Sequence, residues 1–278
     1  MRSPLAAFQP LTVESVQTAL STQMLGRTLH LFDELPSTNT EAVRLAQSGA
    51  PHGTVIAADS QTDGRGRLGR HWYSPSGKNV YCSIILRFAA ENPAFCLSWL
   101  PLISAAGVAR TVQVVSGLRT SVKWPNDVLL GRRKLAGILC ERAGTSNVFV
   151  VVGIEVNVNI SRDAFPEELR EEATSISAEA GRPFDRARLL GELLSELEIR
   201  YEALLAGPRL EALDEYLARC STIGKPVRVS LADGSSVEGW ADSIADDGAL
   251  RVIRSRSSDG STASGIMEIR AGDVVHLR

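Results

Sequence analysis

Apolar residues recur at helical spacing in several segments of the chain. Residues 184–205 place leucines on one face of an amphipathic helix, and residues 95–115 are apolar and alanine-rich, which predicts a buried helix. Shorter helices are expected at 40–47 and 210–218, and a helix with a short break at 11–29. The pattern therefore predicts helices distributed along most of the chain.

Short apolar or alternating runs between these helices predict β-strands. The expected strands are at 29–32, 54–58, 80–88, 121–124, 128–130, 134–142 and 147–159. After Cys220 the pattern changes to five short strands, with hairpin signals at Asp233-Gly234 and Asp247-Gly248. We therefore expect an α+β domain over residues 1–220 and a small β-barrel domain over residues 221–278.

Composition narrows the class of protein. The 278 residues are 44% hydrophobic and 22% charged, with a net charge of −2, which argues against a general nucleic-acid binder. No apolar run predicts a signal peptide or a membrane span. The four cysteines lack metal-site spacing, so we expect buried thiols and a cytoplasmic location.

A Gly/Arg segment, D-G-R-G-R-L-G-R at residues 63–70, is the first candidate for chemistry. Gly64, Gly66 and Gly69 match G-x-G-x-x-G, but that dinucleotide motif should open a helix, and W-Y-S-P-S-G follows instead. Arginine makes bidentate hydrogen bonds with phosphate, so the segment suits a loop that closes over a phosphate. A solvated basic loop and a nucleic-acid patch stay open as alternatives.

Three further motifs follow in the chain. Residues 123–127, K-W-P-N-D, place a cation, an amide and a carboxylate at one turn, although an ordinary Pro-Asn-Asp turn has the same pattern. Lys134 begins the apolar strand K-L-A-G-I-L, so its ammonium is expected either in a pocket or in water. Residues 153–159, G-I-E-V-N-V-N, form a strand whose small and amide residues could line a site.

Taken together and in this order, with S-T-N at 37–39, the motifs resemble those of biotin–protein ligases over about residues 30 to 278. The resemblance implies a mixed-sheet catalytic domain flanked by helices and a C-terminal SH3-like β-barrel. It also implies that ATP activates biotin to biotinyl-5′-AMP, with Mg²⁺ accompanying ATP. The acceptor would be a lysine of a biotin carboxyl carrier domain, and the enzyme would be a monomer or a homodimer.

The resemblance also assigns residues. The catalytic residues would be Lys134, Arg67 and Asp127. The biotin-binding residues would be Ser37, Thr38, Asn39, Gln61, Gly64, Arg65, Lys134 and Gly137. The ATP- and adenylate-binding residues would be Arg65, Arg67, Arg70, Trp72, Lys123, Asn126, Lys134 and Asn157. Glu155 stands where the family usually has glycine, which adds bulk and charge beside the biotin-facing strand.

Parts of the sequence pattern also fit other functions. Some family members carry an N-terminal winged helix-turn-helix of about 60 residues. Only about 30 residues precede these motifs, so we expect no specific DNA binding and no membrane partner. A lipoate or octanoyl ligase is the nearest alternative, and a regulator that binds nucleic acid through the barrel is a second. Hydrolase motifs such as G-x-S-x-G and H-E-x-x-H are absent from the sequence.

Overall fold

The computed structural model describes residues 10–88, 93–144, 148–206, 210–231, 233–254 and 265–277. Seven strands form a first, mixed sheet in the order β1-β2-β3-β7-β6-β5-β4. These strands are β1 Leu29–Leu35, β2 Val55–Gln61, β3 Val80–Arg87, β4 Ser121–Lys123, β5 Asp127–Leu130, β6 Arg133–Ala143 and β7 Phe149–Val156. The β1–β2 pair is parallel and the other pairs are antiparallel.

Helices cover the first sheet. They are α1 Val13–Ala19, α2 Thr38–Gln47, α3 Pro93–Ser116, α4 Ile176–Ala180, α5 Arg186–Ala206 and α6 Leu210–Leu217. α3 and α5 pack against each other, and a Cβ at Gly107 would lie 3.1 Å from Leu197 Cδ2, so glycine permits their close approach.

Alternate residues of β7 belong to two different hydrophobic cores, one on each face of this sheet. Val150, Val152 and Ile154 belong to the main core, to which α3 and α5 also contribute. Phe149 and Val151 belong instead to a small core with Ala42 and Ala46 of α2. Successive strand residues point to opposite faces, so Gly153 and Glu155 lie on the α2 side of the sheet. The small core does not include them.

The second sheet is antiparallel, with the order β11-β10-β9-β8-β12. Its strands are β8 Lys225–Ser230, β9 Ser236–Ile244, β10 Leu250–Arg254, β11 Ile266–Ile269 and β12 Asp273–His276. The predicted barrel is thus a barrel-like five-stranded sheet. Trp99 Nε1 donates to Asp246 O at 2.8 Å and Trp124 Nε1 to Gly248 O at 3.1 Å, so α3 and the β4–β5 turn bind the β9–β10 turn. The domain boundary near residue 220 stays a prediction.

The expected helix over 11–29 is wrong beyond α1. The helix ends at Ala19, and the backbone N–H groups of Gln23, Met24 and Leu25 donate to the Glu198 carboxylate at 2.6–2.8 Å. A tertiary acceptor thereby replaces the helical carbonyl acceptors, and the apolar spacing alone could not reveal it. Among the described helices, none is long and apolar enough to cross a membrane.

Candidate functional site

A cleft of about 1110 Å³ lies on the α2 side of the first sheet, and residues of the Arg-rich loop and of β12 also line it. Nearly all of the residues assigned from the sequence line this cleft. They are Ser37, Thr38, Asn39, Gln61, Arg65, Arg67, Arg70, Trp72, Lys123, Asn126, Asp127, Lys134, Gly137 and Asn157. Gly64 lies instead in a smaller pocket beneath the loop. The structure therefore brings the separate motifs to one place, and their chemical roles stay predictions.

A hydrogen-bond network runs across one end of the cleft at the start of α2. Ser37 is the N-cap residue and makes no side-chain capping bond. Thr38 N and Thr38 Oγ1 both donate to Gln61 Oε1, at 2.9 and 3.2 Å. Ser83 Oγ lies 2.8 Å from Thr38 Oγ1 and 2.6 Å from Asn39 Oδ1. These buried polar groups are held in fixed orientations, which suits recognition of a polar ligand.

Glu155 ends this network. Gln61 Nε2 donates to Ser74 Oγ at 3.0 Å and to Glu155 Oε1. The Glu155 side chain is buried, and burial raises its pKa to about 8, although the Gln61 hydrogen bond and the charge of Lys134 act to lower it. A carboxyl group with that pKa is largely protonated near neutral pH. The sequence identified Glu155 as unusual but did not reveal its partner.

The Arg-rich loop is held at three points. Arg65 Nη2 lies 2.9 Å from Glu141 Oε2, Arg67 Nη1 donates to Asn126 Oδ1 at 3.1 Å, and Arg70 Nη2 lies 2.6 Å from Asp273 Oδ2.

Gly64 lets the base of this loop pack closely. A Cβ on Gly64 would lie 2.7 Å from both Ser74 Oγ and Trp72 O, and 3.2 Å from Gln61 Nε2. A glycine is therefore required here by space, and the loop base touches the same network that ends at Gln61.

Lys134 lines the cleft beside Asp127 and Trp72. Its Nζ is 2.7 Å from Asp127 Oδ1 and 5.0 Å from the centroid of the Trp72 ring. A Cβ on Gly137 would lie 2.7 Å from Trp72 Cζ3 and 3.3 Å from Lys134 Cε. Gly137 thus leaves room for the indole and the lysine to lie together. The alternative in which Lys134 faces bulk water is not what the structure shows.

Two donors in the cleft have no partner among the described residues. Arg65 Nε and Trp72 Nε1 are buried and make no hydrogen bond. Buried N–H groups without partners are costly, so each is a position where a ligand oxygen would be stabilised. The described lining also carries seven lysine and arginine side chains against five aspartate and glutamate side chains. The cleft is therefore suited to an acidic ligand.

The structure adds residues that sequence reasoning missed. Ser74 and Ser83 complete the polar network, and Glu141 accepts from Asn39 Nδ2 at 2.7 Å. Residues in and next to the second sheet also line the cleft. They are Lys225 of β8, Asp273, Val275 and His276 of β12, and Leu277, which follows β12. Burial and the nearby Lys225 and Lys123 lower the pKa of His276 to about 4. No local motif marks these residues, because their positions depend on how the two sheets dock.

The arrangement combines a network of fixed polar groups with a cluster of guanidinium and ammonium groups. Such cations can hold two anionic reactants together and stabilise charge that develops between them. Within the described ranges, no group of three or more His, Cys, Asp or Glu side chains is placed to hold a metal ion. The cations and the fixed polar groups of the cleft support chemistry by positioning and electrostatics.

The sequence is similar to those of known biotin ligases. The biotin/lipoate A/B protein ligase family model matches residues 31–159. A biotin–[acetyl-CoA-carboxylase] ligase of Mycobacterium tuberculosis is 38% identical over 94% of this chain and 96% of that protein. The bifunctional ligase/repressor BirA of Bacillus subtilis is 34% identical over 95% of this chain and 78% of that protein.

A solved structure gives the same result. The biotin protein ligase from Aquifex aeolicus, in complex with biotin and ATP, superposes with a TM-score of 0.74 and 27% identity, covering 91% of this chain and 99% of that one. The segment matched by the family model contains every residue that the sequence assigns to the site.

Proposed function

Because the chain belongs to the biotin–protein ligase family, we propose that it activates biotin with ATP and transfers the biotinyl group to a lysine of a biotin carboxyl carrier domain. The observation that carries the proposal is the position of Lys134 in the cleft, whose lining also includes the arginines of the loop. The network at Gln61 lines the same cleft and provides fixed groups for a polar ring. Both features fit an acid with a polar ring and an anionic carboxylate.

The first step joins two anions. A biotin carboxylate oxygen attacks the α-phosphorus of ATP, the bond from that phosphorus to the oxygen bridging it to the β-phosphorus breaks, and pyrophosphate leaves. Lys134, between the two reacting groups, reduces their repulsion and stabilises the charge of the transition state. Arg65 and Arg67 bind the carboxylate and phosphate oxygens, and the unpartnered Arg65 Nε is a ready donor for one of them.

The adenylate then needs protection from water. Arg67, Arg70 and Trp72 line the cleft from the loop side, so the loop covers the mixed anhydride and limits its hydrolysis. Lys123, Asn126 and Asn157 contact the nucleotide part of the ligand in this proposal.

The second step transfers the acyl group. The neutral amine of the acceptor lysine attacks the acyl carbon, the bond from that carbon to the phosphate oxygen breaks, and AMP leaves. Asp127 is paired with Lys134 at 2.7 Å, so its carboxylate lies next to the reacting centre. It orients the incoming amine and accepts a hydrogen bond from it, and the proton that the nitrogen loses as the amide forms passes to solvent.

Mg²⁺ would accompany ATP in this scheme. This ion is commonly bound through the phosphate oxygens of the nucleotide together with water and one or two carboxylates. When bound, it neutralises part of the charge on the departing pyrophosphate. The protein residues act on the carboxylate and the α-phosphate.

The proposal is tested by transfer of labelled biotin to a purified biotin carboxyl carrier domain. We expect label on the carrier that depends on ATP, and no label on a carrier whose acceptor lysine is replaced by arginine. ATP-dependent label that appears equally on the arginine variant would contradict transfer to a specific lysine. Transfer of lipoate in place of biotin would instead identify a lipoate ligase.

A further inference from the structure

Glu155 occupies an unusual place in the cleft. It is a β7 residue on the α2 side of the sheet, where it pairs with Gly137 of β6 and Tyr81 of β3, and Gly153 lies two positions before it on the same face. It is 9% exposed and lines the cleft. Because the two glycines carry no side chains, the long acidic side chain of Glu155 projects from the sheet beside the space that the ligand would fill.

The hydrogen bonds around Gln61 show which polar atoms of this network are still free to bind a ligand. The backbone N–H of Thr38 can only donate, so the Gln61 atom that it contacts must be the amide oxygen Oε1. Both Gln61 amide hydrogens then point to Ser74 Oγ and Glu155 Oε1. Both N–H donors of Gln61 are thus used within the protein. Glu155 Oε2, in contrast, has no hydrogen-bond partner among the described residues.

We propose that Glu155 determines specificity for the acid substrate, because its carboxyl group pairs with one N–H/C=O edge of a cyclic urea. The inference rests on the proposed function, and it identifies the part of the substrate that this side chain recognises. Oε1 accepts the ring N–H in addition to the Gln61 hydrogen, and the Oε2 hydroxyl donates to the ring carbonyl. The two bonds are parallel, and neither group is left unpaired.

This pairing needs a neutral carboxyl group, and the surroundings supply one. Burial is the main cause that raises the pKa of Glu155 to about 8. On the face of the sheet that carries Glu155, Tyr81 of β3 lies directly across from it, and Lys134 of β6 is the cation that acts on it. Cys82 of β3 points to the main core on the opposite face. Burial raises the pKa of Tyr81 and that of Cys82, the latter to about 12, so both stay neutral at physiological pH. Lys134 is the cation that opposes the shift.

When an acid without a urea ring binds, the Oε2 hydroxyl of Glu155 has no acceptor, and Oε1 has no donor from the ligand. A buried site built for hydrogen bonding rejects ligands that cannot complete those bonds far more strongly than an apolar pocket does. A dithiolane ring, as in lipoate, has no N–H and no C=O. Glu155 would therefore separate biotin from lipoate, which shares the carboxylate-bearing chain.

The test compares Glu155→Met and Glu155→Gln with the wild-type protein. Methionine keeps the length of the side chain but removes both hydrogen-bonding atoms, whereas glutamine keeps an acceptor and a donor in the same places. Binding is measured by calorimetry with biotin and with dethiobiotin, which retains the urea but lacks the sulfur ring. Glu238→Gln, on the surface of the second sheet and paired with Arg228, is the matched control.

We expect Glu155→Met to weaken biotin and dethiobiotin equally, by about ten- to a hundredfold, since it removes two buried hydrogen bonds. Glu155→Gln should bind both within about threefold of wild type, and the KM for ATP should stay unchanged in both variants. Unchanged biotin binding in Glu155→Met, or an equal loss in Glu155→Gln, would overturn the inference. If Glu155→Met does not fold, Glu155→Gln alone decides, since a loss above threefold contradicts the pairing.

Failure of the inference is distinct from failure of the proposed function. Biotin-dependent exchange of pyrophosphate into ATP by the wild-type protein tests the function. The change in biotin affinity at Glu155 tests only how the ring is recognised. If the wild-type protein activates biotin and the Glu155→Met variant binds biotin as tightly as the wild type, the proposed function stands and the pairing is refuted.

Discussion

Replacing Lys134 by alanine should abolish most of the adenylation activity while leaving the fold intact. Lys134 lines the cleft, and its Nζ forms an ion pair with Asp127 Oδ1 at 2.7 Å. Removal of one positioned electrostatic group commonly lowers kcat by about 10²- to 10³-fold, which corresponds to about 2.7–4 kcal/mol of transition-state stabilisation. We expect a loss in this range for the Lys134→Ala variant.

The effect on stability should be small by comparison. The Lys134 side chain is 33% exposed and that of Asp127 is 16% exposed, so solvent screens much of their attraction. Ion pairs with this exposure contribute up to about 1 kcal/mol to the free energy of unfolding. The variant should therefore remain folded at room temperature, and loss of rate can be separated from loss of structure.

The assay is biotin-dependent ATP–pyrophosphate exchange, with thermal unfolding measured on the same samples. Arg133→Ala is the matched control, because Arg133 is adjacent in β6 but pairs with Glu179 at 2.5 Å and does not line the cleft. We expect this control to keep kcat within about threefold of wild type. A folded Lys134→Ala protein with exchange within threefold of wild type would refute the electrostatic role of Lys134.

Three further predictions follow from contacts around the cleft. Biotin affinity should be constant below about pH 7 and fall as the pH rises through the pKa of Glu155, about 8, because only the protonated carboxyl pairs with the ring; calorimetry between pH 6 and 9.5 should show this fall in wild type and not in Glu155→Gln. Gly137→Ala would place a Cβ 2.7 Å from Trp72 Cζ3, so we expect kcat for exchange to fall by about 10-fold or more, and an unchanged kcat would show that the indole moves aside at no cost. Asp273→Asn removes the 2.6 Å ion pair with Arg70, an exposed pair that contributes up to about 1 kcal/mol; release of biotinyl-5′-AMP, followed by stopped-flow fluorescence, should accelerate by up to about fivefold, and an unaltered rate would mean that this pair does not hold the loop.

Much of the site could be predicted because its motifs lie at strand ends and in tight turns. The K-W-P-N-D turn leaves β4 and enters β5, and Lys134 begins β6 next to it. These strands are sequential hairpin partners, so local pairing brings Asp127 and Lys134 together. The Gly/Arg loop could be recognised from composition alone, since its arginines have no apolar spacing that would place them in a core.

The remainder of the site depends on contacts between distant parts of the chain. The bond between Gln61 and Glu155 requires β2, β3 and β7 to lie side by side in one register, over 94 residues of sequence separation. Asp273 reaches Arg70 only because the second sheet docks beside the first. Apolar periodicity specifies which face of a strand is buried and carries no information on which strand lies next to it.

The segment after α1 illustrates the same limit within the fold. Apolar residues continue at helical spacing past Ala19, yet the backbone turns because the buried Glu198 carboxylate accepts three N–H groups there. Hydrogen bonding by a residue more than 170 positions away competes with local helix formation. A pattern of apolar positions predicts the helix, and only the tertiary structure shows where it ends.

The decisive measurement of activation is exchange of labelled pyrophosphate into ATP by the purified protein, run in parallel with biotin, lipoate and octanoate. We predict exchange with biotin and little or none with the other two acids, because the polar network of the cleft suits a ring that both donates and accepts hydrogen bonds. Exchange supported by lipoate or octanoate and not by biotin would contradict it.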